Sequence, residues 1–309
     1  LEIARLIVKY SGAVSAVSKK HAEVSSEMDE FKGLQVIPIT NGVHLPSWIH
    51  PTKLEVYRDS FGDVLENPQL LSDASSLDYE AFRQAHGITQ KELFDLIKDR
   101  TGVQFDEGAL TIGFARRFAG YKRGNLIFNS SPEQLARVLK GNGQIIFAGK
   151  AHPNDNIGKG ILQSTYKNCQ LLMDKYGVKA VVIPDYDRNV AEILVRGTDL
   201  WISNPRRGEE ASGTSGMKVA LNGGVNFSVL DGWWAEAYDG TNGWVIAPQN
   251  GHNDDAVDSH FIVDSLERKI IPEFRDDRFM DRRTKSLQLG SRFNTIRNYR
   301  RGRYQSTFH

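Results

Sequence analysis

The sequence predicts an α/β protein in which a parallel sheet is covered by helices on both faces. Two observations carry this. From Leu110 onward, short apolar runs at residues 110–114, 144–148, 180–183, 200–202 and 225–229 alternate with helical stretches near 124–140, 157–176, 188–196 and 215–222. Apolar strands that alternate with helices imply parallel strands buried on both sides. Such sheets bind ligands in the loops after the carboxyl ends of the strands. The loops to inspect therefore open at Ala115, Gly149, Pro184, Asn204 and Leu230.

The other elements follow in order. Ile3, Leu6 and Ile7 recur at helical spacing, and a second helical stripe runs through Val14, Val17 and His21. A short apolar run at 36–39 leads to a turn at Asn41-Gly42. Residues 50–105 read as polar helix, with Asp78 and Thr89 as N-caps. After Asp258 the chain is helical again, Pro272 interrupts it, and the last nine residues read as irregular. No internal repeat or low-complexity segment is present. The chain opens at Leu1, without Met, inside an apparent helix, and so reads as a piece of a longer protein.

Bulk properties narrow the function. A chain of 309 residues has room for roughly two domains. The net charge is +1, so nothing marks a nucleic-acid or membrane-surface binder. The cluster Arg297, Arg300, Arg301 and Arg303 reads as a solvated helix end before it reads as an RNA site. The single cysteine, Cys169, rules out a disulfide or a Cys-based zinc site within one chain, which fits a reducing, cytoplasmic compartment. No signal peptide, bilayer-spanning run or metal site is expected.

Chemistry concentrates in four loops. Residues 115–123 place Arg116, Arg117, Lys122 and Arg123 beside glycine at a strand end. Arginine forks match phosphate oxygens and lysine adds a point charge, although a solvated basic turn has the same composition. The next loop brings Lys150 and His152 to one rim, where a structural histidine is the commoner case. In the third, Asp187 caps the following helix or Tyr186 walls a bound ring. The fourth, residues 209–218, carries Glu210, Ser212, Gly213, Thr214, Ser215, Gly216 and Lys218. Small residues let backbone amides approach a phosphate at the start of a helix. Lys218 follows one turn later, where it is an exposed helix lysine or an imine-forming one. The pattern is neither a dinucleotide fingerprint nor a P-loop.

Glu-Ala-Ser-Gly-Thr-Ser-Gly-Met-Lys, ending at Lys218, resembles the pyridoxal-phosphate lysine motif of α-glucan phosphorylases, the glycogen, starch and maltodextrin enzymes. Residues 111–123, 149–153, 185–192 and 40–48 resemble further blocks of that family, in the same order. The wording Phe-Ala-Arg-Arg-Phe and Asp-Gly-Trp-Trp is most similar to the shorter prokaryotic members. The resemblance implies a glycosyltransferase-B-like fold: residues 1–105 as the end of the first domain, 106–265 as a Rossmann-like cofactor domain, and 266–309 as C-terminal helices.

The resemblance also implies roles. Lys218 is the Schiff-base lysine for pyridoxal 5'-phosphate. Gly213, Thr214, Arg116 and Lys122 surround the cofactor phosphate, with Trp48 and Tyr186 beside the ring. Arg117 holds inorganic phosphate. Tyr121, Glu210, Ser212 and Asn41 contact substrate, and Lys218, Arg117 and Lys122 form the catalytic set. The partners are α-1,4-glucan and inorganic phosphate, and the family leaves room for a homo-oligomer. The implied reaction is phosphorolysis to glucose-1-phosphate with retention at the anomeric carbon. Three departures stand out: Gly12 where the family has a sugar-binding histidine, Arg116 where the animal enzymes have lysine, and, largest, the expected absence of the further N-terminal domain that forms the other wall of the family's cleft. Two rival readings remain. One is a retaining nucleotide-sugar glycosyltransferase of the same architecture, disfavoured because Lys218 stands eight residues after Glu210, where such enzymes often place a second Glu. The other is an inactive fragment that binds cofactor or glucan. A hydrolase lacks its carboxylate pair.

Overall fold

The computed structural model of the chain describes residues 2–247, 252–276 and 278–294. The predicted arginine cluster and irregular end lie outside these residues. Near the N-terminus, helix α1 (Glu2–Tyr10) is followed by strand β1 (Val14–Ala16), helix α2 (Lys19–Ser26) and strand β2 (Val36–Pro38). The two strands pair in parallel, with Val14 opposite Val36. The second helical stripe expected through Val14, Val17 and His21 is therefore wrong. The backbone is extended at Ser18, whose hydroxyl caps α2 by accepting from His21 N at 3.0 Å. Val14 and Val17 have helical spacing by coincidence, and β-branched residues also suit a strand.

Helices α3 (Leu45–Trp48), α4 (Pro51–Phe61) and α5 (Tyr79–Thr101) come next. Asp78 caps α5 as expected, accepting from Glu80 N and Ala81 N. Thr89 caps nothing. It is buried inside α5 and donates to His86 O and Arg196 O, both at 2.9 Å. A Cβ on Gly197 would lie 2.6 Å from Thr89 O, so α5 passes directly against the helix that ends there.

The main sheet has six parallel strands in the order β5-β4-β3-β6-β7-β8. They are β3 (Leu110–Ala115), β4 (Gly143–Ala148), β5 (Ala180–Ile183), β6 (Leu200–Ser203), β7 (Val225–Ser228) and β8 (Gly243–Val245). Five match the predicted runs. Helices α6 (Pro132–Leu139), α7 (Asn156–Tyr176), α8 (Arg188–Gly197) and α9 (Ser215–Ala220) connect them. Alternate residues of β4 face opposite layers, as the two-residue strand period requires. Ile145 and Phe147 join the core with Leu135, Leu139 and Leu172. Ile146 and Ala148 join the other, with Leu93, Leu194 and Val219.

Short helix α10 (Trp234–Ala237) precedes β8, and helices α11 (Asp255–Ser265), α12 (Ile271–Phe274) and α13 (Arg278–Leu287) close the described chain. Pro272 does not break the helix. A π turn over Leu266–Ile270 precedes it and places the proline in the first turn of α12, where its missing N–H is tolerated. A third core joins Tyr57, Leu71 and Phe82 to Leu221, Trp234 and Leu287, so α3–α5 pack on the sheet unit. Among the described residues no helix is long and apolar enough to cross a membrane. Strand order reverses between β3 and β6, and a crevice for a ligand opens above such a reversal.

Candidate active site

The two loops at this reversal carry most of the predicted residues. The pairing of β3 with β4 continues past the strand end: Arg116 N donates to Ala148 O at 3.1 Å, and Phe118 N to Lys150 O at 3.0 Å. Gly149 makes this close approach possible, since a Cβ there would lie 1.9 Å from Arg116 O. Arg116 is buried, whereas Arg117 is exposed, with its Nη2 3.5 Å from the Tyr121 hydroxyl. A 3₁₀ turn over Gly120–Lys122 then brings in Lys122, whose Nζ lies 4.5 Å from the centre of the Tyr121 ring.

Arg116 Nη2 and Lys122 Nζ both donate to the same Glu210 carboxylate oxygen. Burial disfavours that charge, but Arg116 and Lys122 outweigh it and hold the Glu210 pKa below the ordinary value. The fourth cation of the loop is not part of this group. Arg123 is buried and donates to Asn204 O and Pro205 O at 2.9 Å and to Asp258 at 2.7 Å, which fastens the β3 loop to the β6 loop. Its role is structural.

The loop after β6 is shaped by Asp231. Its carboxylate accepts from Gly208 N and Glu210 N, each at 2.9 Å. A Cβ on Gly232 would lie 2.3 Å from Ser212 O, and Trp233 N donates to that oxygen at 3.0 Å. Gly213 has φ 82°, and a Cβ there would touch Arg116 Nη2 at 3.4 Å. Ser18 donates to Ala211 O at 2.7 Å, so the N-terminal unit also rests on this loop.

Helix α9 begins at Ser215 and is six residues long. Anion attraction at this site therefore rests on Arg116 and Lys122, and the expected helix dipole contributes little over so short a span. Thr214 precedes α9 and makes no side-chain cap bond. One turn on, the Lys218 Nζ lies 3.7 Å from the centre of the Trp48 ring. Burial, then Arg188, push the Lys218 amine pKa below the ordinary lysine value, and Glu192 partly opposes them. Lys218 is thus a half-covered amine and not a free surface lysine. Tyr186 and Trp48 lie against the same core. Asp187 caps α8 by accepting from Val190 N at 2.9 Å, so the third loop provides both the cap and the aromatic.

Other predicted residues are set apart. Asn41 is half-buried, and its backbone N donates to Val17 O at 3.1 Å. Gly12 faces open space. Lys150 and His152 are exposed, and the His152 ring accepts from Asn154 N within its own turn. The sequence reading assigned nothing to Asp231, although the loop from Leu230 was marked for inspection.

Two buried polar atoms beside Glu210 lack a partner among the described residues: Arg116 Nη1 and Ser212 Oγ. Such groups are normally satisfied, so they suit a ligand rich in acceptor oxygens. With Arg116, Lys122 and Gly213 gathered at one point and an amine of lowered pKa one helical turn away, the donor set fits a phosphorylated aldehyde.

A model of the carbohydrate phosphorylase family matches residues 1–241. The chain belongs to that family. It is 39% identical over 303 residues to the maltodextrin phosphorylase of Thermococcus litoralis, covering 88% of this chain and 36% of the relative. It is 38% identical over 300 residues to the glycogen phosphorylase of Aquifex aeolicus, covering 86% and 42%. The glycogen phosphorylase of Mycobacterium tuberculosis is 33% identical, with 91% and 36% covered. The chain thus spans about two fifths of the length of these carbohydrate phosphorylases. The matched region includes both loops at the strand reversal and ends before α11.

Proposed function

We propose that this chain is the cofactor-bearing part of an α-glucan phosphorylase, which cleaves α-1,4-glucan with inorganic phosphate to give glucose-1-phosphate. The observation that carries it is the meeting of Arg116, Lys122 and Glu210 at the sheet's reversal point, with Lys218 one turn into the helix that follows. Pyridoxal 5'-phosphate would be held by Lys218, by Gly213, Thr214, Arg116 and Lys122 around its phosphate, and by Trp48 and Tyr186 beside the ring. When bound, it supplies a phosphate monoester whose second pKa of about 6 suits proton exchange near neutral pH. Arg117, exposed at the loop surface, binds inorganic phosphate, with Tyr121 beside it. Glu210, Ser212 and Asn41 bind glucosyl hydroxyls. Arg116 and Lys122 offset the repulsion between two neighbouring phosphates, a preorganised electrostatic role.

The architecture is read as glycosyltransferase-B-like and the compartment as cytoplasmic. The division into 1–105, 106–265 and 266–309 is a proposal too, and the packing of α3–α5 on the sheet unit favours a first boundary nearer Val43. Gly12 supports a second reading, a chain that binds cofactor or glucan without turnover. The test uses the full-length enzyme. Glucose-1-phosphate release from maltodextrin and phosphate should vanish in Lys218→Ala. Undiminished release would overturn the reading.

A further inference from the structure

Asn222 lies just beyond α9 and is 1% exposed. Its side chain uses every hydrogen-bonding group that joins two segments. Nδ2 donates to Lys218 O at 2.9 Å and to Trp48 O at 2.8 Å. Oδ1 accepts from His50 N at 3.1 Å. A flipped amide would face its oxygen toward two carbonyls, so this network settles the orientation. The backbone is held as well, because Asn222 O accepts from the buried Lys53 Nζ at 2.8 Å.

The Trp48 segment is held at two points, since Arg196 also donates to Trp48 O at 3.4 Å and to Ser47 O at 3.1 Å. Trp48 ends α3, a helix of only four residues, and the next residue, Ile49, is already extended. So short a helix has little stability of its own. The indole nevertheless lies against the Lys218 ammonium, with the Arg188 guanidinium 6.0 Å from the same ring. A lysine tail has many rotamers, and a ring fixed over its end removes most of them.

We infer that Asn222 is a positioning residue for Lys218: it binds the Trp48 segment to the turn that carries Lys218, and so holds the indole over the amine. The inference rests on the proposal that Lys218 bonds the cofactor aldehyde. In that step the amine nitrogen forms a C=N bond to the aldehyde carbon. The C=O bond breaks, and its oxygen leaves as water with the two amine protons. An amine held in one orientation loses less entropy in forming that bond.

The test compares two probes on the whole chain. Pyridoxal 5'-phosphate is able to form the bond. Pyridoxine 5'-phosphate has the same ring and phosphate but an alcohol in place of the aldehyde. The wild-type chain should prefer the aldehyde. Asn222→Ser should reduce that preference about tenfold while leaving the affinity for the alcohol unchanged. Asn222→Asp, which keeps the size and the bond from His50, serves if the serine variant loses its folded circular dichroism. Trp48→Ala, which also removes a wall beside the cofactor ring, should weaken both probes and still lose the preference for the aldehyde, and the double variant should lose no more of that preference than either single one. A preference that survives in a folded Asn222 variant, or losses that add in the double variant, overturns the role of Asn222. A wild-type chain indifferent to the aldehyde overturns the covalent reading of Lys218 and this inference with it.

Discussion

The Asp231 carboxylate accepts from the backbone N–H of Glu210 at 2.9 Å, and this bond fixes where the Glu210 side chain meets Arg116 and Lys122. The same oxygen holds Gly208 N, so one buried aspartate folds the whole turn. Asp231→Ala would leave two part-buried amides without their acceptor and should cost roughly 1–3 kcal/mol of stability. It should also weaken phosphate binding, read by titration calorimetry. Unchanged stability and affinity would show that the turn holds its shape without Asp231.

Arg117 is the one cation of the loop that the fold leaves exposed beside Tyr121. In the full-length enzyme, Arg117→Ala should raise the phosphate concentration for half-maximal rate by about one to two decades, as expected for loss of a charge-assisted contact. An unchanged phosphate dependence would make the residue structural.

His86 gives the fold an acid sensitivity. It is buried between Lys53 Nζ at 3.1 Å and Asp199 at 2.8 Å, with Arg283 alongside. Burial, then Arg283 and Lys53, push its pKa down from 6.5 to about 3. The unfolded chain takes up a proton here at higher pH than the folded chain does. Stability is therefore fully present above the unfolded value and is lost as pH falls toward 3, by up to about 1.4 kcal/mol per unit. Urea titrations of the wild type and His86→Gln should show a shallower acid loss in the variant. Equal slopes would assign the loss to other groups.

Helix α1 exposes Ile3, Leu6, Ile7 and Tyr10 at 74%, 58%, 61% and 77%. An apolar stripe of this kind promotes self-association. Sedimentation velocity should show concentration-dependent growth that Leu6→Glu with Ile7→Lys suppresses. The isolated chain, which spans about two fifths of its relatives, should also release little or no glucose-1-phosphate. Turnover comparable to a full-length relative would show that the remaining three fifths are dispensable for catalysis.

The sequence was most legible where burial is uniform. Strands β3 to β7 are covered on both faces, so each appears as a short run in which apolar residues predominate or alternate with small polar ones. Strand β8 is three residues at the sheet edge, inside a stretch of Gly, Asn and Asp that reads as turn, and it was missed. Lys218 and its glycines were legible because their chemistry is contiguous in the chain. Asp231 and Asn222 were not. Asp231 reaches back 21 and 23 residues, and Asn222 reaches 172 and 174, and no local pattern encodes such pairings. The role of Arg123 was left open for a related reason: composition shows a cation but not which way it faces.

The placement of the cofactor on Lys218 is tested most directly by reduction and mapping. The chain is incubated with pyridoxal 5'-phosphate, reduced with borohydride, digested and analysed by mass spectrometry. The account predicts a pyridoxyl adduct on the peptide containing Lys218 and its loss in Lys218→Ala. An adduct on Lys122 or Lys150 instead, or none at all, would contradict it.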